Sequence, residues 1–110
     1  MIFTHPKVIK YIVTNYNEDN VSPLTVATIR RYMYNEGQRI HVRIGNIGEG
    51  DAIVRKIVSL RDAIDYVKYS GFDTVNEWID EAMRLHKRKS RLHIVVIDII
   101  KLKVKWYAIY

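Results

Sequence analysis

"YSGFDTVNEWIDEAMRLH", residues 69–86, is the stretch on which the reading of the fold turns. Thr74 is a good N-cap, and Glu77 three residues on completes a capping box. Val75, Trp78, Ile79, Ala82 and Leu85 then fall on one face at helical spacing. Gly71-Phe72 sits just ahead, where a turn and an apolar contact fix the entry. The stretch therefore predicts an amphipathic helix that packs against something, and the rest of the chain has to supply the partner.

Working outward, residues 1–4 suit a short strand, and Pro6 starts a helix at its permitted first-turn position, with Val8, Ile9, Ile12, Val13 and Tyr16 as its apolar face. "NYNEDNVSP", 15–23, is polar and ends that helix. "LTVATIRRY", 24–32, is β-branched and reads as a strand. After the turn "NEG", 35–37, "RIHVRI" alternates strictly, with Ile40, Val42 and Ile44 on one face and Arg39, His41 and Arg43 on the other. "GNIGEGD", 45–51, reads as a glycine-rich hairpin turn, and "AIVRKIVSL", 52–60, as the next strand. "RDAIDYVKYS", 61–70, predicts a shorter helix before the capped one, and "HKRKSR", 86–91, a basic loop. "LHIVVIDII", 92–100, is apolar at both parities, as a central strand buried on both faces would be. "KLKVKWYAI" returns to alternation, with Leu102, Val104 and Trp106 facing one way and Lys101, Lys103 and Lys105 the other.

Helix, three strands, two helices and one or two strands, joined by short turns, predict an α+β fold. The expectation is a small β-barrel or a strongly curved, mostly antiparallel sheet with flanking helices, in a single domain over residues 1–110. No apolar run approaches the roughly 20 residues needed to cross a bilayer as a helix, so no membrane association is expected. "MIFTHPKV" has no basic region followed by an apolar core, which argues against a secretory signal and for a cytoplasmic location. The absence of cysteine excludes disulfides, thiolate catalysis and cysteine-based metal sites.

The formal charge of +6 suits a phosphate polyanion, although many small domains are basic for solubility alone. Abundant Ile, Lys, Tyr and Arg, with few Gly and Pro, point to a hot-living source. His5, His41, His86 and His93 are scattered without metal-ligand spacing, so neither metal nor cofactor is expected.

Two segments, "TVATIRR" followed by "NEGQRIHVRIG" and the opening helix with the later "HIVVIDI", together resemble an ASCH domain, a small barrel allied to the PUA domains of RNA-modifying enzymes. The resemblance spans residues 22–100. It implies that the capped helix plugs one end of the barrel, and that a cleft lies beside the Thr-x-Arg strand. Hydrolytic members of the family use a lysine at the start of that strand, a threonine three residues later and a glutamate before the plug helix. Here Thr28 and Arg30 match, but the lysine position holds Thr25 and the glutamate position falls at Ser70 or Gly71. A threonine hydroxyl without a base to take its proton is a poor nucleophile. Asp98 is the acid that could substitute, if it turned inward beside Arg30.

The resemblance and the charge together imply a domain that binds RNA or single-stranded nucleic acid. Thr28, Arg30 and Arg31 would line the cleft. Arg39, His41, Arg43, Lys87, Arg88, Lys89, Lys101, Lys103 and Lys105 would meet phosphates, and Tyr32, Tyr34 and Tyr69 would stack on bases. A hydrolase of modified nucleosides or a ribonuclease, built on Thr28, Arg30 and Asp98, is the alternative. A DNA-packing or protein-interaction module from a hot-living archaeon or its virus, acting in the host cytoplasm, is the third.

Overall fold

The computed structural model describes residues 1–16, 22–86 and 91–105. The predicted basic residues Lys87, Arg88 and Lys89, and Trp106, lie outside them. Five strands form one sheet: β1 (Ile2–Phe3), β2 (Leu24–Arg30), β3 (Arg39–Ile44), β4 (Gly48–Val58) and β5 (His93–Val104). Their order across the sheet is β1-β3-β4-β5-β2, antiparallel except for the short parallel pair β1–β3. With helices α1 (Pro6–Asn15), α2 (Ala63–Tyr66) and α3 (Val75–Leu85), the class is α+β. The sheet is strongly curled into a half-barrel, with β1 and β2 as its two edges.

The curl has a local cause. Between β4 and β5 the pairing passes from Ala52–Ile99 to Asp51–Lys101, which leaves Ile100 as an extra residue on β5. It also passes from Val54–Ile97 to Lys56–Val96, which leaves Arg55 extra on β4. Each bulge bends its strand and sharpens the twist. Each also shows as two consecutive exposed residues, Ile100-Lys101 and Arg55-Lys56, in strands that otherwise alternate. The bulge at Ile100 shifts the phase of β5, so that Val95, Ile97 and Ile99 share the inner face with Leu102 and Val104. What reads in the sequence as two segments, 92–100 and 101–109, is one continuous strand as far as Val104. The Tyr16 hydroxyl, at the end of α1, accepts from the Leu102 N–H just past the bulge at 3.1 Å.

The glycine-rich stretch 45–51 is only partly a turn. β4 begins at Gly48, because a Cβ on Gly48 or Gly50 would collide with the β5 backbone. Glycine there lets the two strands approach, rather than ending one of them.

Two cores lie on opposite faces of the sheet. The inner one draws on all five strands and on Ile12 of α1. The outer one joins Trp78 and Ala82 of α3 to Ala27 and Ile29 of β2 and to Ile94 and Val96 of β5. The first half of β5 is thus buried on both sides, as its composition predicts. Helix α3 takes a different place from the expected one. It covers the outer face of β2–β5 instead of plugging a barrel end, since its apolar stripe meets the residues of opposite parity to the inner core.

The predicted helix 61–70 is reduced to the single turn α2, between 3-10 turns at Leu60–Asp62 and Val67–Tyr69. Ile64 is 75% exposed, so the segment has little apolar face to stabilise a longer helix. Ser70 closes it: its hydroxyl donates to the Val67 carbonyl at 2.6 Å and accepts from the Phe72 N–H at 3.1 Å. Thr74 caps α3 by accepting from the Glu77 N–H at 3.1 Å. The reciprocal half of the capping box is diverted, because the Glu77 carboxylate takes the Lys7 ammonium of α1. Thr74→Ala is expected to lower stability by about 1 kcal/mol, read as a shift of the urea midpoint at constant slope.

Candidate functional site

Arg30 ends β2, and its side chain spans the open seam of the half-barrel. Its Nη2 donates to the Ile2 carbonyl of β1 at 2.8 Å, its Nε donates to the Thr28 hydroxyl at 3.1 Å, and its guanidinium lies 5.2 Å from the centre of the Phe3 ring. Burial pulls its pKa below the usual arginine value, and no carboxylate among the described residues pairs with it. A partly buried cation without a carboxylate partner favours an anion from outside.

Around it β1, β2, the start of α1 and α3 enclose a cleft of about 110 Å³. Its walls carry Thr28, His5, Glu81 and His86 beside apolar Phe3, Trp78 and Leu85. His5 and Glu81 stand 76 positions apart and meet only through the fold, so no local spacing in the sequence pairs them. His5 caps α1, with Nδ1 accepting from the Lys7 N–H at 3.1 Å, so the ring proton sits on Nε2, which faces Glu81 at 3.8 Å. In that tautomer His5 has no lone pair left to take a proton from Thr28. The Arg84 hydrogen bond holds the Glu81 carboxyl below the usual range, with His5 adding to the effect.

Asp98 does not reach Thr28. It opposes Thr25 across β2–β5, while Thr28 opposes Val95. It accepts from the Thr25 hydroxyl at 2.9 Å and lies 3.9 Å from Arg55. Alternation puts it on the outer face with Val96, whereas Thr28 shares the parity of inner Val26. The trio Thr28, Arg30 and Asp98 is therefore not brought together. Ser70, at the family's glutamate position, is committed to its turn.

Beyond Arg30 the chain turns through Arg31, Tyr32, Met33 and Tyr34, which with Arg30 and His86 form an open shelf next to the cleft. Tyr32 is 67% exposed and Met33 64%. The Tyr32 ring packs edge-on against Tyr34, centroids 4.8 Å apart. Buried His93 steadies this turn by donating from Nε2 to the Tyr32 carbonyl at 3.0 Å. Tyr69 is elsewhere: with Tyr66, Arg55, Lys56 and Lys68 it lines a separate groove, its ring 5.1 Å from the Lys68 ammonium.

The two basic rows read from β3 and β5 are not adjacent. β4 lies between them, and its acids interleave: His41 opposes Asp51, which opposes Lys101, and Arg43 opposes Glu49, which opposes Lys103. Arg39 bonds Asp51 at 3.1 Å, and His41 lies 3.3 Å from Glu49. Two of the predicted phosphate contacts, Arg39 and His41, thus already face carboxylates. No group of three or more His, Asp or Glu among the described residues is placed to hold a metal ion, and no described helix is long and apolar enough to cross a membrane.

No family model matches the chain, and no solved structure matches it. Uncharacterized protein 105 of Sulfolobus islandicus rod-shaped virus 1 is 37% identical over 102 residues, covering 88% of this chain and 90% of that protein. The chain belongs to that viral protein's family. This relationship supports an origin in an archaeal virus, in keeping with the composition.

Proposed function

We propose that the protein binds single-stranded nucleic acid, RNA foremost, at the shelf and cleft around Arg30. The observation that carries the reading is the exposed Tyr32 ring, braced edge-on by Tyr34 on a shelf that it shares with Arg31 and with a guanidinium that lacks a carboxylate partner among the described residues. An unpaired base offers a face to the ring, and its phosphate offers an anion to the cations. Duplexes hide their base faces, so the shelf favours unpaired strands. Thr28 serves here as an acceptor that orients Arg30. The curled sheet with its Thr-x-Arg strand is ASCH-like in this reading, and the place of action is the host cytoplasm.

The test is binding of labelled single-stranded RNA, duplex RNA and duplex DNA at two salt concentrations. Single-stranded RNA is expected to bind tightest. Tyr32→Ala, at an exposed position, is expected to weaken it by about 1–3 kcal/mol without changing the melting temperature. Equal retention of duplex DNA, untouched by Tyr32→Ala, would favour the DNA-packing reading instead.

A further inference from the structure

A further basic concavity, of about 420 Å³, opens at the β3–β4 turn, away from the aromatic shelf. Arg43 of β3 and Lys103 of β5 reach it from either side of β4, and Lys105, just past β5, joins them. None of the three is in an ion pair among the described residues. Glu49 is the acid on its wall, and its carboxylate lies 3.3 Å from His41. Gly45, Asn46 and Gly48 of the β3–β4 turn complete its lining. Among the described residues no aromatic ring lines it. Its chemistry is that of a phosphate site.

Its position relative to Arg30 gives it meaning. Strand β1 is two residues long, and Ile2 is the register partner of Arg43. The same Ile2 gives its carbonyl to Arg30. Arg30 and Arg43 thus lie on either side of one short strand, at the seam where the curled sheet's two ends meet. Resting on the single-strand reading above, we propose that Arg43, Lys103 and Lys105 form a separate phosphodiester subsite, and that the bound strand crosses β1 between this pocket and the Arg30–Tyr32 shelf. The ligand class is a polynucleotide of several residues.

The experiment is fluorescence anisotropy with a labelled twelve-nucleotide oligouridylate across a salt series. Four proteins are compared: the parent, Arg43→Ala/Lys103→Ala, the charge-matched control Lys10→Ala/Arg61→Ala, and Tyr32→Ala. All the replaced side chains are exposed, and melting temperatures check that the variants fold. The pocket variant is expected to bind roughly tenfold more weakly. Its log–log salt slope is expected to be shallower by about 1.4, at about 0.7 for each single-strand phosphate that the variant no longer neutralises. The control is expected to keep the parent's slope. Equal losses in the pocket variant and the control would mean diffuse charge attraction and overturn the subsite. A pocket variant matching the parent, with Tyr32→Ala still weakened, would also overturn it and leave the single-strand reading standing. A parent that binds no oligouridylate would sink both.

Discussion

Trp78→Ala is expected to destabilise the fold by about 3–5 kcal/mol, the range for removing a buried aromatic ring. Trp78 is 3% exposed and joins α3 to the outer faces of β2 and β5. Without the ring, Ala82 is the other fully covered residue of α3, and the polar links from Thr74, Glu77 and Glu81 are too exposed to hold the helix alone. The same indole lines the cleft beneath Arg30, so the loss reaches the candidate site as well. Thermal melts of the variant beside Trp78→Phe, which keeps most of the volume, measure the effect. The alanine variant should melt far lower and the phenylalanine variant in between. An unchanged melting temperature for Trp78→Ala would mean that α3 does not cover the outer face.

Gly50→Ala is expected to cost about 3 kcal/mol or more, at or above the upper end for overpacking. A Cβ there would sit 1.9 Å from the Lys101 carbonyl oxygen and 2.9 Å from the Leu102 Cα. Both obstacles are backbone, so no rotamer change relieves the clash. The strands would have to part next to the Ile100 bulge, in the most extensive pairing of the sheet. Gly37 is the instructive contrast. A Cβ there meets nothing within 4 Å, but its φ of +86° lies where side chains are strained. Gly37→Ala should therefore cost only about 1–2 kcal/mol, through strain alone. Urea unfolding of the two variants separates steric from conformational need, and similar small losses in both would show that β4 and β5 are farther apart than described.

What could be read from the letters was whatever depends on near neighbours. Thr74 and the 3.6-residue rhythm behind it specify α3, and Pro6 marks the start of α1. The two-sided apolar run at 94–97 marks a strand covered on both faces. What could not be read was which strand lies beside which. Nothing local to Arg43 or Lys103 says that Glu49 stands between them. That follows from β4 lying between β3 and β5, a consequence of the connections and not of any motif. The same holds for His5 and Glu81, and for Asp98, whose face is fixed by counting along β5 from its partner Thr25. The departure of α3 from a plug has a comparable origin. An apolar stripe declares that it will be covered, but both faces of β5 were apolar enough to cover it. One long-range signal was present and went unread: inward-facing Ile99 and Leu102 are three residues apart where a regular strand would space them by two.

That extra residue separates two properties of β5 that the sequence writes in the same letters. Lys101 and Lys103 point outward because Ile100 is counted and not paired. Drawn into an unbroken ladder, Ile100 would turn Leu102 and Val104 to the solvent and the lysines toward the core. Deleting it has another outcome. Ile99, Lys101 and Leu102 would then alternate regularly, the lysines would stay outside, and the bend would be gone. A relative one residue shorter at this point would keep its basic row on a flatter sheet, and the seam that Arg30 bridges would gape. The length of β5 thus sets the shape of the sheet and its lysines set the charge, each independently of the other.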